Sequence, residues 1–406
     1  MSGPILIVGA NACGQATASG LREGGYDGEI VLVGDEGIAP YERPVLSKEY
    51  LQGTRELERS FLRPGDWHEE QQIDARFGTR VEAVDVASKT AILDGGGQIG
   101  WSQLMLATGI RNRSLDVPGA GSSGIHYLRG VADADGIKGE IEASRRAVVV
   151  GMGFIGAEVA ASLRTVGIEV TVVEPLETAL HRVLGVEFGG VIEGLHAEHG
   201  VDMRFGEGVS AFESNPDGSV AAVVTSSGDS IPCDFAVVGI GTVPNTELAE
   251  AAGVDCENGI LVDAQLRTSA PGVWAGGDVV NHDHPIFGRM RVEHFDNAIK
   301  MGAAAAANIL GAEAVFDDPH WFWSDQYDCS IQMAGHAAEP DEIIIRGEVS
   351  SRDFIAFFMV GGVLRQVLGI NRPRDVRRSL GLIRDQASPD PGALSDPDTD
   401  LRSLSD

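Results

Sequence analysis

The stretch VVVGMGFIGAE at residues 148–158 indicates most directly how this chain folds. An apolar run is followed by the glycine-rich turn GMGFIG at residues 151–156, by a helical pattern, and by a second apolar run that ends at Glu174. Strand, glycine turn, helix, strand and terminal acid form a dinucleotide-binding unit. The glycines let the backbone approach a pyrophosphate, the helix N-terminus stabilises its charge, and the acid accepts hydrogen bonds from a ribose.

A second copy of this pattern lies at the N-terminus. The run ILIV at residues 5–8 leads into the turn GANACG at residues 9–14, and a further run, IVLV at residues 30–33, leads to Asp35. Asn11 replaces the middle glycine, and asparagine is small and tolerates left-handed backbone angles. Either turn alone could be an ordinary glycine-rich loop. Two copies, each with an acid about 20 residues on, predict two nucleotide-binding units.

Length and charge restrict the class of protein. The 406 residues exceed one usual domain, and 31 basic against 60 acidic side chains give a net charge of −29. Such a chain is repelled by nucleic acid and by anionic lipid. The 43% hydrophobic share argues against a collagen-like, coiled-coil or disordered chain. Without an apolar stretch of the length that a membrane span needs, we predict a soluble, cytoplasmic protein.

Cysteines and histidines give no sign of a metal centre. The four cysteines lie too far apart in sequence for a CxxC pair, so we predict neither a zinc ribbon nor a dithiol centre. His196 and His199 fit a solvated helix better than a metal site, and His282 and His284 fall in a predicted loop. We therefore expect no metal.

The C-terminal part differs in pattern from both repeats. Three short strands, near residues 343–346, 354–360 and 362–370, and a helix from about Arg374 indicate a separate α+β module. Residues 385–406 contain three prolines and six aspartates, which predicts a disordered acidic tail.

Several further motifs lie between and after the two glycine turns. They are YERPVLSK at 41–48, LATG at 106–109, GIGTVPN at 239–245, AGGD at 275–278, RVEHFDN at 291–297 and WFWSDQY at 321–327. From residue 4 to about 384 the chain resembles the putidaredoxin-reductase-like family of FAD-dependent, NADH-oxidising ferredoxin reductases, which serve bacterial monooxygenases and ring-hydroxylating dioxygenases. Apoptosis-inducing factor is a more distant likeness.

The resemblance implies an α/β fold class with two Rossmann-like dinucleotide-binding domains of glutathione-reductase-like architecture and a C-terminal α+β domain. Residues 1–112 and 242–315 would form a discontinuous FAD-binding domain, and residues 113–241 an inserted NAD-binding domain. Residues 316–384 would form the C-terminal domain, ahead of the tail at 385–406. The cofactors implied are FAD and NADH.

Site residues carried over from the family fall into two groups. The pyrophosphate of FAD would lie on Gly9, Ala10, Asn11, Ala12 and Gly14, and the rest of the cofactor on Asp35, Arg43, Lys48, Val81, Ala107, Thr108, Gly109, Arg129, Asp278 and Phe295. NADH would lie on Gly151, Gly153, Ile155 and Gly156, with Gly241 and Glu293 near the nicotinamide. The residues expected at the flavin edge, and hence in the catalytic role, are Lys48, Glu158 and Phe295.

Charge gives a further expectation for three predicted site residues, Glu174, Lys48 and Glu158. Glu174 would accept from ribose hydroxyls but repel a 2′-phosphate, and no arginine follows it at once, which favours NADH over NADPH. A buried charge requires a partner, so we expect Lys48 and Glu158 to form an ion pair near flavin N5 that stabilises the reduced flavin.

The acceptor of the electrons is predicted from a missing motif and from charge. Disulfide reductases of this architecture carry a cysteine pair after the first repeat, but residues 41–48 contain none, so a dithiol relay is excluded. A local basic patch near the C-terminus would steer an acidic [2Fe-2S] ferredoxin. It consists of Arg365, Arg372, Arg374, Arg377, Arg378 and Arg384. The alternative is that these arginines have no binding role, form the solvated face of a terminal helix and pair with the acidic tail.

Two other activities remain open from the sequence. One is an NADH oxidase or quinone reductase. The other is an NADH-sensing interaction flavoprotein like apoptosis-inducing factor, since the segment RVEHF at residues 291–295 has some of that group's character.

Overall fold

The computed structural model describes residues 3–404. Its first segment begins with the strand–helix–strand unit that the sequence predicts and continues mainly with strands. The elements are β1 (Ile5–Val8), α1 (Ala12–Glu23), β2 (Ile30–Gly34), α2 (Trp67–Glu70), β3 (Ile73–Phe77), β4 (Val81–Asp85), β5 (Thr90–Leu93), β6 (Gln98–Gly100), β7 (Gln103–Leu106) and β8 (Ile110–Asn112). Single 3₁₀ turns cover Arg43–Ser47, Leu57–Ser60 and Asp94–Gly96.

The second segment contains the other predicted strand–helix–strand unit, at residues 146–174. It contains β9 (Ile125–His126), α3 (Val131–Ala143), β10 (Arg146–Val150), α4 (Phe154–Thr165), β11 (Glu169–Glu174), α5 (His181–Glu198), β12 (Asp202–Phe205), β13 (Val209–Ser214), β14 (Val220–Thr225), β15 (Ser230–Pro232) and β16 (Phe235–Val238). Strands β12, β11, β10, β16 and β9 form one parallel sheet in that order. The residues of β10 after Arg146 are buried, because helices cover both faces of a parallel sheet.

The third segment returns to the sheet of the first. It contains β17 (Thr242–Pro244), α6 (Glu247–Ala251), β18 (Ile260–Val262), β19 (Val273–Ala275), β20 (Val280–His284), β21 (Gly288–Met290) and α7 (Phe295–Ile309). Strand β19 pairs with β7, which gives a parallel sheet with the order β19, β7, β1, β2, β3. Helix α7 packs along α1. The first and third segments therefore share one apolar core, although the second segment, of about 130 residues, separates them in sequence.

An antiparallel sheet forms the C-terminal part. Its elements are β22 (Trp321–Gln326), β23 (Cys329–Gly335), β24 (Glu342–Glu348), β25 (Asp353–Val360), β26 (Val363–Ile370), α8 (Pro373–Arg384) and α9 (Pro391–Ser395), with 3₁₀ turns at Val349–Ser351 and Leu401–Leu404. The strand order is β22, β23, β26, β25, β24. The three strands predicted from the sequence correspond to β24, β25 and β26, and two further strands precede them.

The prediction of a disordered tail is wrong for residues 385–404. Helix α9 and the final 3₁₀ turn place Leu394 and Leu401 fully inside the core that α8 and the sheet share. Arg346 is buried and donates hydrogen bonds to the tail carbonyls of Leu394 (2.6 Å), Ala393 (2.9 Å) and Thr399 (3.1 Å). Composition weighs charge and proline, but two buried leucines and three satisfied carbonyls suffice to order this segment.

The predicted settings of two histidine pairs also need correction. His196 is fully buried in α5 rather than solvated, because this helix packs beneath the C-terminal sheet. His282 and His284 lie in strand β20 rather than in the predicted loop, and both are buried. Within residues 3–404 no group of three or more histidine, cysteine, aspartate or glutamate side chains could hold a metal ion. No helix in the same range has the length and apolarity of a membrane span.

Candidate functional site: two glycine turns and a buried ion pair

The first glycine turn joins β1 to α1. Gly9 has φ +118°, a backbone angle that favours glycine, and a Cβ on Gly14 would collide with the Gly9 carbonyl oxygen. Asn11 is the N-cap of α1, and its Oδ1 accepts from the backbone N–H groups of Cys13 (3.1 Å) and Gly14 (3.2 Å). Its Nδ2 donates to the Ala107 carbonyl at 2.5 Å. The replacement for the middle glycine therefore organises the turn from within.

The second glycine turn joins β10 to α4. Gly151 has φ +93°, and a Cβ on Gly156 would collide with the Gly151 carbonyl oxygen, as in the first turn. Gly153 is the N-cap, and nothing lies within 4 Å of the position that its Cβ would occupy. Glu174 is only 8% exposed, and its carboxylate accepts from the N–H groups of Met152 (2.7 Å) and Leu176 (2.9 Å).

A cleft of about 1100 Å³ opens beside the first turn. It is lined by eight of the residues predicted for FAD: Gly9, Ala10, Asn11, Asp35, Arg43, Val81, Thr108 and Arg129. The side chain of Asp35 is 63% exposed and pairs with Arg80 at 3.3 Å. A long cleft with a glycine turn, a helix N-terminus and an accessible acid fits a dinucleotide.

Arg43 and Arg129 line this cleft, and each pairs with an acidic side chain. Arg129 pairs with Asp278 at 3.4 Å, and Arg43 pairs with Glu36 and donates to the Arg129 carbonyl at 2.6 Å. Burial raises the pKa of Asp278, while the guanidinium of Arg129 opposes that rise. Burial also lowers the pKa of Arg129. Two guanidinium groups thus line the cleft, each paired with a carboxylate.

A second cavity, of about 230 Å³, adjoins the first. Both glycine-turn units line it: Ala12 and Cys13 come from the first, and Ile155 and Glu158 from the second. Burial raises the pKa of the Cys13 thiol above its ordinary range, so Cys13 is an inert packing residue rather than a nucleophile.

Lys48 and Glu158 meet in this cavity. The Lys48 Nζ lies 2.8 Å from Glu158 Oε1, and both side chains are less than a tenth exposed. Ser47 donates to Glu158 Oε2 at 2.5 Å, and Ser324 donates to Oε1 at 2.7 Å. The carboxylate is therefore compensated by one cation and two hydroxyl groups, as a buried charge requires.

Aromatic side chains also line the second cavity. Phe295 begins α7 and meets Trp323 edge to face, with ring centroids 6.3 Å apart. Trp323 stacks on Trp321 at 5.1 Å, and the guanidinium of Arg377 lies 5.6 Å from the centre of the Trp321 ring. An aromatic path thus runs from the cavity to helix α8.

The structure brings most of the predicted residues together. The second cavity is lined by Asn11, Ala12, Arg43, Lys48, Ala107, Gly109, Arg129, Ile155, Glu158, Asp278, Glu293 and Phe295. Six predicted residues line neither cavity: Gly14, Gly151, Gly153, Gly156, Glu174 and Gly241. Ser47, Ser324 and Trp323 were missed as site residues, although each lies in a motif named above, because a motif does not reveal which of its side chains point inward.

The basic patch is partly neutralised within the chain. Arg372 pairs with Asp353 at 2.5 Å and lies 3.8 Å from Asp375, and Arg384 lies 3.8 Å from Asp318. Arg374 and Arg377 are exposed on α8, and Arg377 is the one that covers Trp321. The patch is accordingly narrower than the sequence suggests.

Two parallel nucleotide-binding sheets, a shared cavity and a small antiparallel domain define a two-nucleotide oxidoreductase. Residues 3–302 match the family described as pyridine nucleotide-disulphide oxidoreductase, and residues 321–405 match the one described as reductase C-terminal. The chain belongs to the pyridine nucleotide-disulphide oxidoreductase family. The family and the α/β fold class predicted from the sequence are therefore confirmed.

Full-length relatives place the chain more narrowly. It is 39% identical over 403 residues to the ferredoxin–NAD(+) reductase component of an anthranilate 1,2-dioxygenase system from Burkholderia cepacia, a match that covers 99% of each chain. It is 39% identical to rhodocoxin reductase from Rhodococcus erythropolis, over 98% of this chain and 93% of the relative. A chain of the covalent putidaredoxin reductase–putidaredoxin crystal structure is similar with a TM-score of 0.95 and 36% identity, covering 99% of this chain and 98% of that chain.

Proposed function

We propose that the protein is an FAD-dependent NADH:ferredoxin oxidoreductase, which passes electrons to a [2Fe-2S] ferredoxin that supplies a monooxygenase or a ring-hydroxylating dioxygenase. The observation that carries the proposal is the second cavity, because both glycine-turn units line it and two nucleotides bound to them would meet there. Full-length relatives named as ferredoxin reductases support the acceptor. Tyr41 to Lys48 contains no cysteine, so electrons do not pass through a dithiol.

The chain's own residues bind, orient and compensate charge. FAD, when bound, supplies the hydride-accepting chemistry. Gly9 to Gly14 and Asp35 hold its pyrophosphate and ribose, and Arg43 and Arg129 balance the phosphate charge. Lys48 places a positive charge where reduction adds electrons, and Glu158 holds that lysine in place. Phe295 and Trp323 limit access of water to the cavity.

Replacement of Lys48 tests this role. Lys48→Met should slow the reduction of the bound flavin by NADH by about 100-fold, because a preorganised charge at the reacting centre is lost. Stopped-flow absorbance measures the rate. Lys89→Met is the matched control, since Lys89 is exposed and lies on a different surface, and it should react like the unaltered protein. A normal rate in Lys48→Met would contradict the role.

Specificity for NADH rests on two acids. Glu174 ends β11, where its carboxylate would repel a 2′-phosphate, and the exposed Glu177 adds negative charge three residues later. We expect kcat/KM for NADH to exceed that for NADPH by at least tenfold. Equal values for the two nucleotides would overturn this preference.

Ferredoxin is proposed to dock over Trp321 and α8. Arg374 and Arg377 are exposed there, next to the aromatic path that leads to the second cavity. Acidic ferredoxins are attracted by such charges, which raise the association rate in a salt-dependent manner.

Two measurements test docking and acceptor. Arg377→Glu should lower kcat/KM for ferredoxin several-fold at low salt and leave reduction by NADH unchanged. Arg204→Glu makes the same change of charge on the second unit and should have little effect. Turnover that is fast with oxygen or quinone but slow with every [2Fe-2S] ferredoxin tried would overturn the proposed function.

A further inference from the structure

A chain of buried hydrogen bonds continues from Glu158 into the C-terminal sheet and back to α5. Ser324 Oγ, which donates to Glu158, accepts from Gln326 Nε2 at 3.1 Å. Gln326 Oε1 lies 2.9 Å from His196 Nε2, and His196 Nδ1 lies 3.4 Å from the hydroxyl of Tyr327. Ser324, Gln326 and His196 are all fully buried. Three segments distant in sequence thus contribute to one polar line.

The carboxylate at one end determines the direction of every bond. A carboxylate only accepts, so Ser324 donates to Glu158 and must accept from the amide nitrogen of Gln326. The amide oxygen of Gln326 then faces His196, which must carry its proton on Nε2. Nδ1 is left to accept from Tyr327. Burial lowers the pKa of His196 to about 4, so the ring is neutral at pH 7, as this arrangement requires.

We infer that Ser324, Gln326 and His196 are positioning residues that hold the Glu158 carboxylate against Lys48. The inference rests on the proposed function, because it takes the ion pair to face the flavin. A buried serine alone could rotate its hydroxyl away from Glu158. Because the amide nitrogen of Gln326 donates to Ser324 Oγ, the hydroxyl proton of Ser324 remains directed at Glu158. His196 donates to the amide oxygen of Gln326 and so prevents a 180° flip of that amide.

The reduction potential of the bound FAD provides the test. Ser324→Ala removes one of two hydroxyl donors from Glu158, so its negative charge acts more strongly on the site and opposes flavin reduction. We expect the equilibrium constant for reduction to fall about tenfold, which is about 30 mV for a two-electron couple. Gln326→Leu and His196→Phe should each lower it by about threefold, since they act through Ser324.

Control variants separate positioning from general packing. Ser330→Ala changes a serine in the neighbouring strand β23 and should leave the potential unchanged. His196→Gln keeps an N–H that can donate to Gln326 and should restore most of the potential lost in His196→Phe. A potential in Ser324→Ala equal to that of Ser330→Ala would overturn the inference. Thermal unfolding is measured beside it, because a purely structural role lowers the unfolding temperature without moving the potential.

A second measurement needs no variant. In holoenzyme labelled with ¹⁵N-histidine, His196 should show the Nε2–H tautomer at pH 7, and the Nδ1–H tautomer would overturn the inference. Failure of the proposed function has a different signature. In that case ferredoxin turnover is absent, while the potential shifts and the tautomer can still follow the hydrogen-bond chain.

Discussion

The two glycine turns have the same backbone path but obtain their stability from different places. In the first, Asn11 accepts from the N–H groups of Cys13 and Gly14, so an internal side chain caps α1. In the second, Gly153 has no side chain, and Glu174 reaches across from β11 to accept from Met152. Asn11 therefore satisfies N–H groups in the first turn of α1, whereas Glu174 satisfies one N–H group in the glycine turn before α4 and that of Leu176 just after β11.

This difference gives different environments to Asp35 and Glu174, the acids that close the two strand–helix–strand units. In the first unit, where Asn11 organises the turn, Asp35 is 63% exposed and pairs with the exposed Arg80, so a ribose can still reach its carboxylate. Glu174 is 8% exposed and already holds two backbone N–H groups, so it contributes to the fold of the turn as well as to ligand choice. Equivalent positions in a repeat therefore do not carry equivalent roles.

The largest effect should come from replacing the last glycine of either turn, Gly14 or Gly156. Gly14→Ala and Gly156→Ala each place a methyl group against a carbonyl oxygen of the same turn. We expect Gly14→Ala to bind FAD at least 100-fold more weakly and to purify nearly colourless. Gly156→Ala should stay yellow, with KM for NADH raised at least tenfold.

Flavin content and steady-state kinetics check these two variants. Gly139→Ala is the control, since Gly139 is exposed in α3 with nothing within 4 Å of its would-be Cβ. Loss of flavin from Gly156→Ala but not from Gly14→Ala would reverse the assignment of the two turns.

Acid should destabilise both units, because each contains a buried neutral histidine. Burial lowers the pKa of His196 in the second unit to about 4 and that of His282 beside the first sheet to about 3. Unfolded histidine titrates near 6.5, so the unfolded state takes up protons first as the pH falls. The free energy of unfolding should be unaffected above that pH and fall between about 6.5 and 4, by up to about 1.4 kcal/mol per pH unit for each histidine.

Denaturant unfolding at pH 7 and pH 5 measures this slope. His282→Gln removes one titrating group and should flatten it, whereas a slope that is unchanged in this variant would show that His282 does not contribute.

The two acids offer a smaller contrast. Glu174→Ala should lower the free energy of unfolding by about 1–3 kcal/mol, because the buried N–H of Met152 and the partly buried N–H of Leu176 lose their acceptor. Asp35→Ala should leave stability within about 0.5 kcal/mol, since its ion pair with Arg80 is exposed, while weakening FAD binding several-fold. Chemical denaturation and FAD titration distinguish the two. Equal losses of stability would contradict the division of roles between these acids.

The smallest effect is expected when the first turn is converted to the form of the second. Asn11→Gly frees the N–H groups of Cys13 and Gly14 for a phosphate, and glycine replaces an asparagine cap at little loss of stability. FAD should bind roughly threefold to tenfold more tightly, as measured by titration of the apoprotein. Asn11→Ala, the control, should lose about 1 kcal/mol of stability. Weaker binding in Asn11→Gly would show that the amide itself contacts the cofactor.

Local pattern was sufficient to predict part of this protein. The two strand–turn–helix–strand units depend on residues close together in sequence, and the structure contains both, with β1, α1, β2 and β10, α4, β11 at the predicted positions. The tail was predicted wrongly because its order depends on Arg346 and on a distant sheet, which composition does not register.

By itself the sequence determined the two nucleotide-binding units, their family and the lack of a dithiol, since all three follow from short motifs. Only the tertiary structure decided that Asp35 stays exposed while Glu174 is buried against its own turn, and how Glu158 is held. Ser47 and Ser324 lie 111 and 166 positions from Glu158 in the chain, yet both donate to its carboxylate. Contacts of that separation arise from the packing of whole domains, and no periodicity within one segment encodes them.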